Sequence, residues 1–217
     1  MLNMIQNIIY SIPGILLAFT FHSYAKGMMA DKLGDKTARF QGRLNLNPLN
    51  HIDPIGTLLI LVCGIGWAKP IETDPRAYKN FYKDDLKVSL AGPLALFGLA
   101  IVSSIILAIM KVAVFKFGIS SPIYGIILTM VVSSIRIFVS LFIFYLLPLP
   151  GLDGFNIFRD LSPKNFHKYG EPLLNSQYQF IILIGIILLA GPILRYPVGW
   201  VLNGLQILIN LITGIFI

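Results

Sequence analysis

Few side chains in this sequence are suited to chemistry, and two short stretches carry the best candidates. The first is His22-Ser23-Tyr24-Ala25-Lys26, at the end of one apolar run, and the second is Leu152-Asp153-Gly154, after another. Ionisable groups at the ends of long apolar segments are functional candidates, because burying a charge is costly. A histidine and a carboxylate at the same depth can hold a divalent metal ion. Ser23 and Lys26 share one helical face, because residues three apart are neighbours on a helix.

The elements that must position these residues are predicted to be membrane-spanning helices. The chain has 217 residues, of which 56% are apolar and 12% are charged, whereas soluble domains have about 45–50% and about 25%. Five runs of at least 19 residues contain no Asp, Glu, Lys or Arg, namely 1–25, 88–110, 117–135, 172–194 and 196–217. A helix needs about 20 predominantly apolar residues to cross the hydrocarbon layer. The sequence therefore predicts an all-α polytopic membrane protein with about five to six transmembrane helices.

Loop charges indicate how a sixth apolar segment, residues 54–68, is placed. If this segment crosses the membrane, eight basic residues lie on each side, whereas the division is 13 to 3 if it re-enters without crossing. The positive-inside rule favours the second arrangement, with the N-terminus outside and the C-terminus in the cytoplasm. We predict one membrane-embedded domain over residues 1–217, in a cell membrane of the bacterial plasma-membrane type. Its spans are predicted at about 5–29, 88–110, 120–150, 178–194 and 198–217, with 54–68 as a re-entrant or short span.

The stretch between the first span and that segment has a different period. Ala38, Phe40, Gly42, Leu44 and Leu46 alternate with Arg39, Gln41, Arg43 and Asn45. A two-residue repeat is typical of a strand with one buried face. Two interpretations stay open, a small membrane-associated β-hairpin or a strand edge that accepts an extended peptide. The second interpretation makes Phe40, Gly42 and Leu44 candidate substrate-binding residues.

Seven short segments, in a fixed order and spacing, carry a family resemblance. They are FH at 21–22, ADKLGD at 30–35, GRLNLNP at 42–48, HIDPIG at 51–56, GWAKP at 66–70, AGP at 91–93 and LDG at 152–154. Together they extend from residue 21 to residue 154, which is more than half of the chain. In these segments the chain resembles the site-2 protease family of intramembrane zinc metalloproteases, and specifically its short subfamily without a PDZ domain.

The resemblance implies a metal site that is altered in this chain. In the family a span carries H-E-x-x-H, both histidines bind zinc, the Glu is the general base, and the Asp of a later L-D-G is the third ligand. His22 and Asp153 match the first and third ligands, but Ser23 stands at the Glu position and Lys26 at the second His. A hydroxyl is not a base near neutral pH, and an ammonium has no lone pair for a metal. We therefore expect zinc, the family's cofactor, to be absent or weakly bound, and Ser23 to be non-functional as a catalytic group.

Two further positions that the family uses to position the substrate are also changed. Leu96 lies where the Ala-Gly-Pro segment usually leads to an Asn, and Tyr145 replaces the usual Asn before Leu147-Pro148. Four changes at one site favour a natural pseudoenzyme over a single drifted residue. We expect a protein that lies in the lipid bilayer and binds transmembrane segments or a partner protease. The net charge of +7 does not indicate nucleic acid, because the basic residues lie between the apolar runs.

Two enzymatic alternatives stay open. One is an active intramembrane zinc metalloprotease that cleaves transmembrane substrates, with His51 joining His22 and Asp153 at the metal. The other rests on Ser23 and Lys26, which fit the S-x-x-K nucleophile motif. The S-D-N and K-T-G motifs that accompany S-x-x-K in penicillin-binding proteins are absent from the sequence.

The residue at the Lys26 position has two possible environments. In the family pattern this position and the Asp153 position converge on one metal ion, so the Lys26 ammonium can stand in for the metal beside Asp153. A buried Asp153 carboxylate without a partner would be costly. In the other interpretation, the Lys26 side chain extends to the membrane interface.

Overall fold

The computed structural model describes residues 2–63, 67–119, 121–174 and 179–216, without the side chains of 2–5, 62–63 and 179–193. The longer helices of these residues are α1 (Leu2–Leu33), α2 (Pro54–Cys63), α3 (Phe81–Phe117), α4 (Pro122–Tyr145), α5 (Asp153–Leu161) and α6 (Gln179–Phe216). Short helical turns are Thr37–Phe40, Pro163–Asn165 and Glu171–Leu174, with 3-10 turns at Pro48–Asn50 and Pro75–Ala77 and a π-helical turn at Phe166–Gly170. The prediction of a helical protein is confirmed for this part of the chain.

Four helical segments of the described residues are long and apolar enough to cross a membrane. They are Gln6–Leu33, Phe81–Phe117, Pro122–Tyr145 and Leu194–Phe216. The predicted spans at 5–29, 88–110, 120–150 and 198–217 fall on these four segments. Most of the predicted span at 178–194 lies outside the described side chains, and its backbone belongs to the same continuous helix as the last span. The prediction of five to six spans is therefore not confirmed.

The core that positions the site lies between α1, α3 and α4. Phe19 of α1, Leu96 of α3 and Phe138 of α4 are fully buried there. A Cβ atom on Gly14 would lie 2.8 Å from the Cα atom of Ser134, so α1 and α4 approach closely only because Gly14 has no side chain. Small residues at such crossings are typical of helix packing in membranes.

The end of α1 and the start of α3 meet at one end of the bundle. The Asp74 N–H donates to Asp35 Oδ2 over 2.8 Å, which joins the chain before α3 to the loop after α1. Tyr78 packs there with Ala30 and Val88. The loop after α1 and the segment before α3 therefore lie at the same end, as the 13-to-3 arrangement requires.

The two ends of the segment that contains α2 lie next to each other. The Lys69 N–H donates to the His51 carbonyl over 2.9 Å, and thus closes the base of this segment. Asp53 begins α2 by accepting the Gly56 N–H over 2.8 Å, as an N-cap side chain does. With 10 residues, α2 is about 15 Å long, half the thickness of a hydrocarbon layer of about 30 Å. This geometry agrees with a re-entrant segment rather than a sixth span.

The strand predicted over residues 38–46 is wrong, since these residues are all described and none is in a strand. A helical turn ends at Phe40, and Gly42 has a φ angle of +65°, which reverses the chain. The apolar positions do not share a buried face, because Phe40 is 86% exposed. Two polar positions bond to specific partners instead, Arg39 to Asp31 over 2.6 Å and Arg43 to backbone carbonyls that include that of Lys69. The alternation therefore reflects turns and the contacts of these two arginines, not a β-hairpin.

We predict that Lys32, Lys79 and Lys164 lie on the cytoplasmic side of the membrane and that Lys116 lies outside. The charge distribution motivates this topology, and all four side chains are exposed. Single cysteines at these positions, in a Cys63→Ser background, can be labelled in intact cells with a membrane-impermeant thiol reagent. We expect labelling at position 116 alone. Labelling of one of positions 32 and 79 but not the other would place them on opposite sides of the membrane and restore a six-span topology.

Candidate functional site

His22, Lys26 and Asp153 lie together between α1 and the start of α5. His22 Nε2 is 2.7 Å from Asp153 Oδ2, and Lys26 Nζ is 2.5 Å from Asp153 Oδ1. His22 and Lys26 are four residues apart and therefore share a face of α1. The Asp153 side chain is 3% exposed and the Lys26 side chain 14%. The predicted ion pair is therefore present, and the Lys26 ammonium points inward rather than to the interface.

The two charges of this pair balance each other. Burial alone would raise the pKa of the Asp153 carboxyl, but the Lys26 ammonium and the His22 ring lower it to about 2. Asp153 is therefore an anion at neutral pH with a cation in direct contact. His22 Nδ1 is buried without a hydrogen-bond partner in the described residues. This favours the tautomer in which Nε2 carries the hydrogen and donates it to Asp153.

The His22 ring is held by α3 and α4 as well as by Asp153. The Tyr145 ring stacks on it with the two centroids 3.9 Å apart and the planes inclined by 20°. On α3, a Cβ atom at Gly92 would lie 2.5 Å from His22 Nε2, so a larger residue cannot occupy position 92 without moving the ring. Three helices therefore fix the orientation of His22 toward Asp153.

A cavity of about 270 Å³ adjoins the ion pair. One side of it is formed by Trp67–Ile71, a stretch without regular secondary structure that we call the wall segment. Tyr145 on α4 accepts the Ala68 N–H through its hydroxyl over 2.8 Å. Arg43 donates to the carbonyl of Lys69 over 3.1 Å and also to the carbonyl of Pro70. The wall segment is thus fastened both to α4 and to the loop after α1.

The predicted site residues have different positions relative to this cavity. Ser23 and Tyr145 line it, together with the ion pair. Leu96 is fully buried in the core and is not part of the lining. Phe40, Gly42 and Leu44 do not line the cavity either.

The residues that are present do not fit a zinc ion. Zinc sites in proteins use at least three ligand side chains, whereas only His22 and Asp153 among these residues offer a lone pair of that kind. Lys26 offers no lone pair. Within the described ranges, no group of three His, Cys, Asp or Glu side chains can hold a metal ion. His51 lies elsewhere, since its Nε2 bonds to the Asn45 carbonyl over 2.8 Å.

Three parts of the site have no role assigned from the sequence. Gly92 and most of the wall segment belong to the motifs that carry the family resemblance, and Arg43 is one position of the predicted strand. A glycine within a membrane helix, such as Gly92, is a signal of close packing that can be read from a sequence. Two of the three backbone carbonyls that Arg43 contacts are 26 and 27 residues away, and the sequence has no such signal for these two contacts.

Comparison with known proteins identifies the family of this chain. It is 36% identical over 214 residues to a protein of Bacillus subtilis (strain 168) named "Putative zinc metalloprotease YwhC", with 95% of this chain and 92% of that protein covered. The chain belongs to the site-2 protease family. It is also 25% identical over 190 residues to "Putative zinc metalloprotease Rip2" of Mycolicibacterium smegmatis (strain ATCC 700084 / mc(2)155), with 85% and 68% covered. No family model and no solved structure gives a significant match.

The names of both relatives support zinc as the metal of the site-2 protease family. The four apolar helices agree with a membrane protein. The assignment of His22 and Asp153 to the family's ligand positions stays a prediction, and so does the substrate-binding role of Tyr145.

We predict that Lys26 and Asp153 stabilise the protein as a pair. Lys26→Met and Asp153→Asn should each lower the free energy of unfolding by roughly 3–5 kcal/mol, because each change leaves a buried charge without its partner. The double variant should recover much of this loss. Thermal unfolding of the four proteins in detergent gives the double-mutant cycle.

The matched control is Lys32→Met, which removes an exposed lysine of the same helix and should leave stability unchanged. Single-variant losses that simply add in the double variant would contradict the pairing, as would a harmless Lys26→Met.

Proposed function

We propose that this member of the site-2 protease family binds transmembrane segments, or a partner membrane protein, without cleaving them by a zinc-dependent reaction. The observation that carries the proposal is the 2.5 Å contact between Lys26 Nζ and Asp153 Oδ1. In the family resemblance, the positions of Lys26 and Asp153 both belong to metal ligands. Here the charge that balances Asp153 belongs to the chain itself.

The acid–base chemistry of the site supports this proposal. Ser23 stands where the family has its general base, and a hydroxyl does not accept a proton from water near neutral pH. Asp153 is the carboxylate of the cavity, but the Lys26 ammonium and the His22 ring hold its pKa at about 2. A base with so low a pKa is too weak to activate water at neutral pH.

The cavity beside the ion pair supports a binding role. Its volume of about 270 Å³ is near the lower end for ligand sites, which suits a few side chains rather than a whole helix. Trp67 and Ile71 contribute apolar surface to it, and Lys69 is exposed at its edge. We infer that a bound segment places side chains into this cavity and passes along the wall segment, not along residues 38–46.

The alternative function is an active intramembrane zinc metalloprotease. Both relatives are named as zinc metalloproteases, and His22 and Asp153 retain metal-binding side chains. This alternative requires the Lys26 ammonium to leave Asp153 when a metal binds. Zinc content separates the two functions.

We predict that the purified protein holds no stoichiometric zinc and has no cleavage activity sensitive to a chelator. Replacing Ser23→Glu together with Lys26→His supplies the two missing groups on the same face of α1, so this variant should bind zinc stoichiometrically. Elemental analysis after purification in zinc-containing buffer measures both proteins.

Ser23→Glu alone is the matched control for that measurement, and it should stay free of zinc because the Lys26 ammonium remains. Stoichiometric zinc in the unchanged protein, or chelator-sensitive cleavage of transmembrane segments by it, would establish the protease instead.

We predict that bound segments contact the wall segment. A photoreactive residue at position 69 should crosslink to members of a panel of purified single-span transmembrane segments reconstituted with the protein. The same residue at position 40, which is 86% exposed and does not line the cavity, is the control and should crosslink far less. Equal crosslinking at both positions, or none at position 69 across the panel, would contradict the proposed binding role.

A further inference from the structure

A second buried charge cluster joins α3 to α5, apart from the cavity. Arg159 on α5 donates through Nη2 to Asp85 Oδ2 on α3 and through Nε to Asp160 Oδ1 over 2.9 Å. The side chains of Asp85 and Asp160 are 4% and 0% exposed. A single guanidinium therefore serves two buried carboxyl groups, which leaves one excess negative charge when both are ionised.

One oxygen of this cluster lacks a donor. Asp160 Oδ2 is buried and has no hydrogen-bond partner in the described part of the chain. A buried carboxylate oxygen without a donor is costly. A proton bound at Oδ2 of Asp160 removes the excess charge and makes this oxygen a hydrogen-bond donor. The Asp85 carboxyl is near enough to accept that hydrogen bond.

The groups that face the cluster from α3 and from the preceding turn do not neutralise the excess charge. Asp84, the neighbour of Asp85, is paired with Lys87 over 2.7 Å. The Tyr78 hydroxyl is buried and lacks a hydrogen-bond partner in the described residues. Burial and the nearby Asp85 raise the pKa of the Tyr78 hydroxyl, so it stays uncharged.

The outer side of Arg159 and the turn after α5 carry further charged groups. Arg159 borders an open cleft that also contains Glu72, Asp74 and Arg76, and Arg76 is bonded to Asp74 over 2.9 Å. On the turn after α5, exposed His167 is paired with Glu171. Lys164 and Lys168 of the same turn are exposed to solvent, where salt screens their charge.

We propose that Asp85, Arg159 and Asp160 form a proton-operated latch that fixes α5 on α3. With the proton bound, the cluster is neutral and α5 is held firmly. When the proton leaves, two carboxylates compete for one guanidinium and the attachment weakens. Because Asp153 is the first residue of α5, the latch also steadies the carboxylate that pairs with Lys26.

The direction of the pH dependence follows from the burial of Asp160. Burial and the Asp85 carboxylate raise the pKa of the Asp160 carboxyl to about 6 from 3.8, although Arg159 opposes this shift. A carboxyl whose pKa is higher in the folded chain than in the unfolded one stabilises the fold fully at pH values below both. That contribution is lost as the pH rises through about 6.

The test compares apparent melting temperatures in detergent at pH 5 and pH 7.5. The unchanged protein should lose about 2–4 °C from this cluster over that range. Asp160→Asn keeps the shape of the side chain without its charge, so this part of the loss should disappear. Infrared spectra give a second readout, because the carbonyl band of a protonated carboxyl group should be present at pH 5, fade by pH 7.5 and be missing in Asp160→Asn.

The matched control is Asp84→Asn, which changes the adjacent carboxylate of α3. Because Asp84 is already paired with Lys87, this variant should melt lower at both pH values and keep the infrared band. The latch would be overturned if Asp160→Asn had the same pH dependence as the unchanged protein. It would also be overturned if the infrared spectrum of the unchanged protein showed no titrating carboxyl band. This second measurement needs no variant, so it decides the question even where a variant fails to fold. Neither readout involves zinc or a bound segment, so the latch is tested separately from the proposed function.

Discussion

The contact between the Lys26 ammonium and the Asp153 carboxylate determines how the rest of the site is arranged. A buried carboxylate needs a nearby positive charge, and Lys26 supplies it from the next turn of the helix that carries His22. The same carboxylate accepts a hydrogen bond from His22, whose ring lies against Gly92 and Tyr145. Tyr145 in turn fastens the wall segment. The cavity therefore keeps its shape through side chains of this chain alone.

Helix α5 carries two buried carboxyl groups that are neutralised in different ways. Asp153, at its start, has a lysine in direct contact, and its pKa lies far below neutral. Asp160, near its end, shares Arg159 with Asp85, and its pKa lies close to the physiological range. The first pair is permanent at neutral pH, whereas the second responds to protons. Both attach α5 to the bundle, the first to α1 and the second to α3.

The features that could be predicted from the sequence are those with a local or family signal. Uncharged runs predict the long helices, and the family pattern brings Lys26 to Asp153. The alternation at residues 38–46 misleads, because it cannot distinguish a strand face from arginines held by nearby groups. Arg195 divides two apolar runs, yet the helix continues through it and through Pro197. One of the two partners of Arg159, Asp85, is 74 residues away, and only the folded chain reveals such a contact.

The Lys26–Asp153 contact also has a consequence for the order of assembly during synthesis. These residues are separated by 127 positions, and synthesis proceeds at about 5–20 residues per second. The Lys26 ammonium therefore enters the membrane region several seconds before its carboxylate partner has been made. Until then, α1, α3 and α4 associate without the contact between Lys26 and Asp153. Translation of α5 supplies the counter-charge, and of the longer helices only α6 then remains to be made.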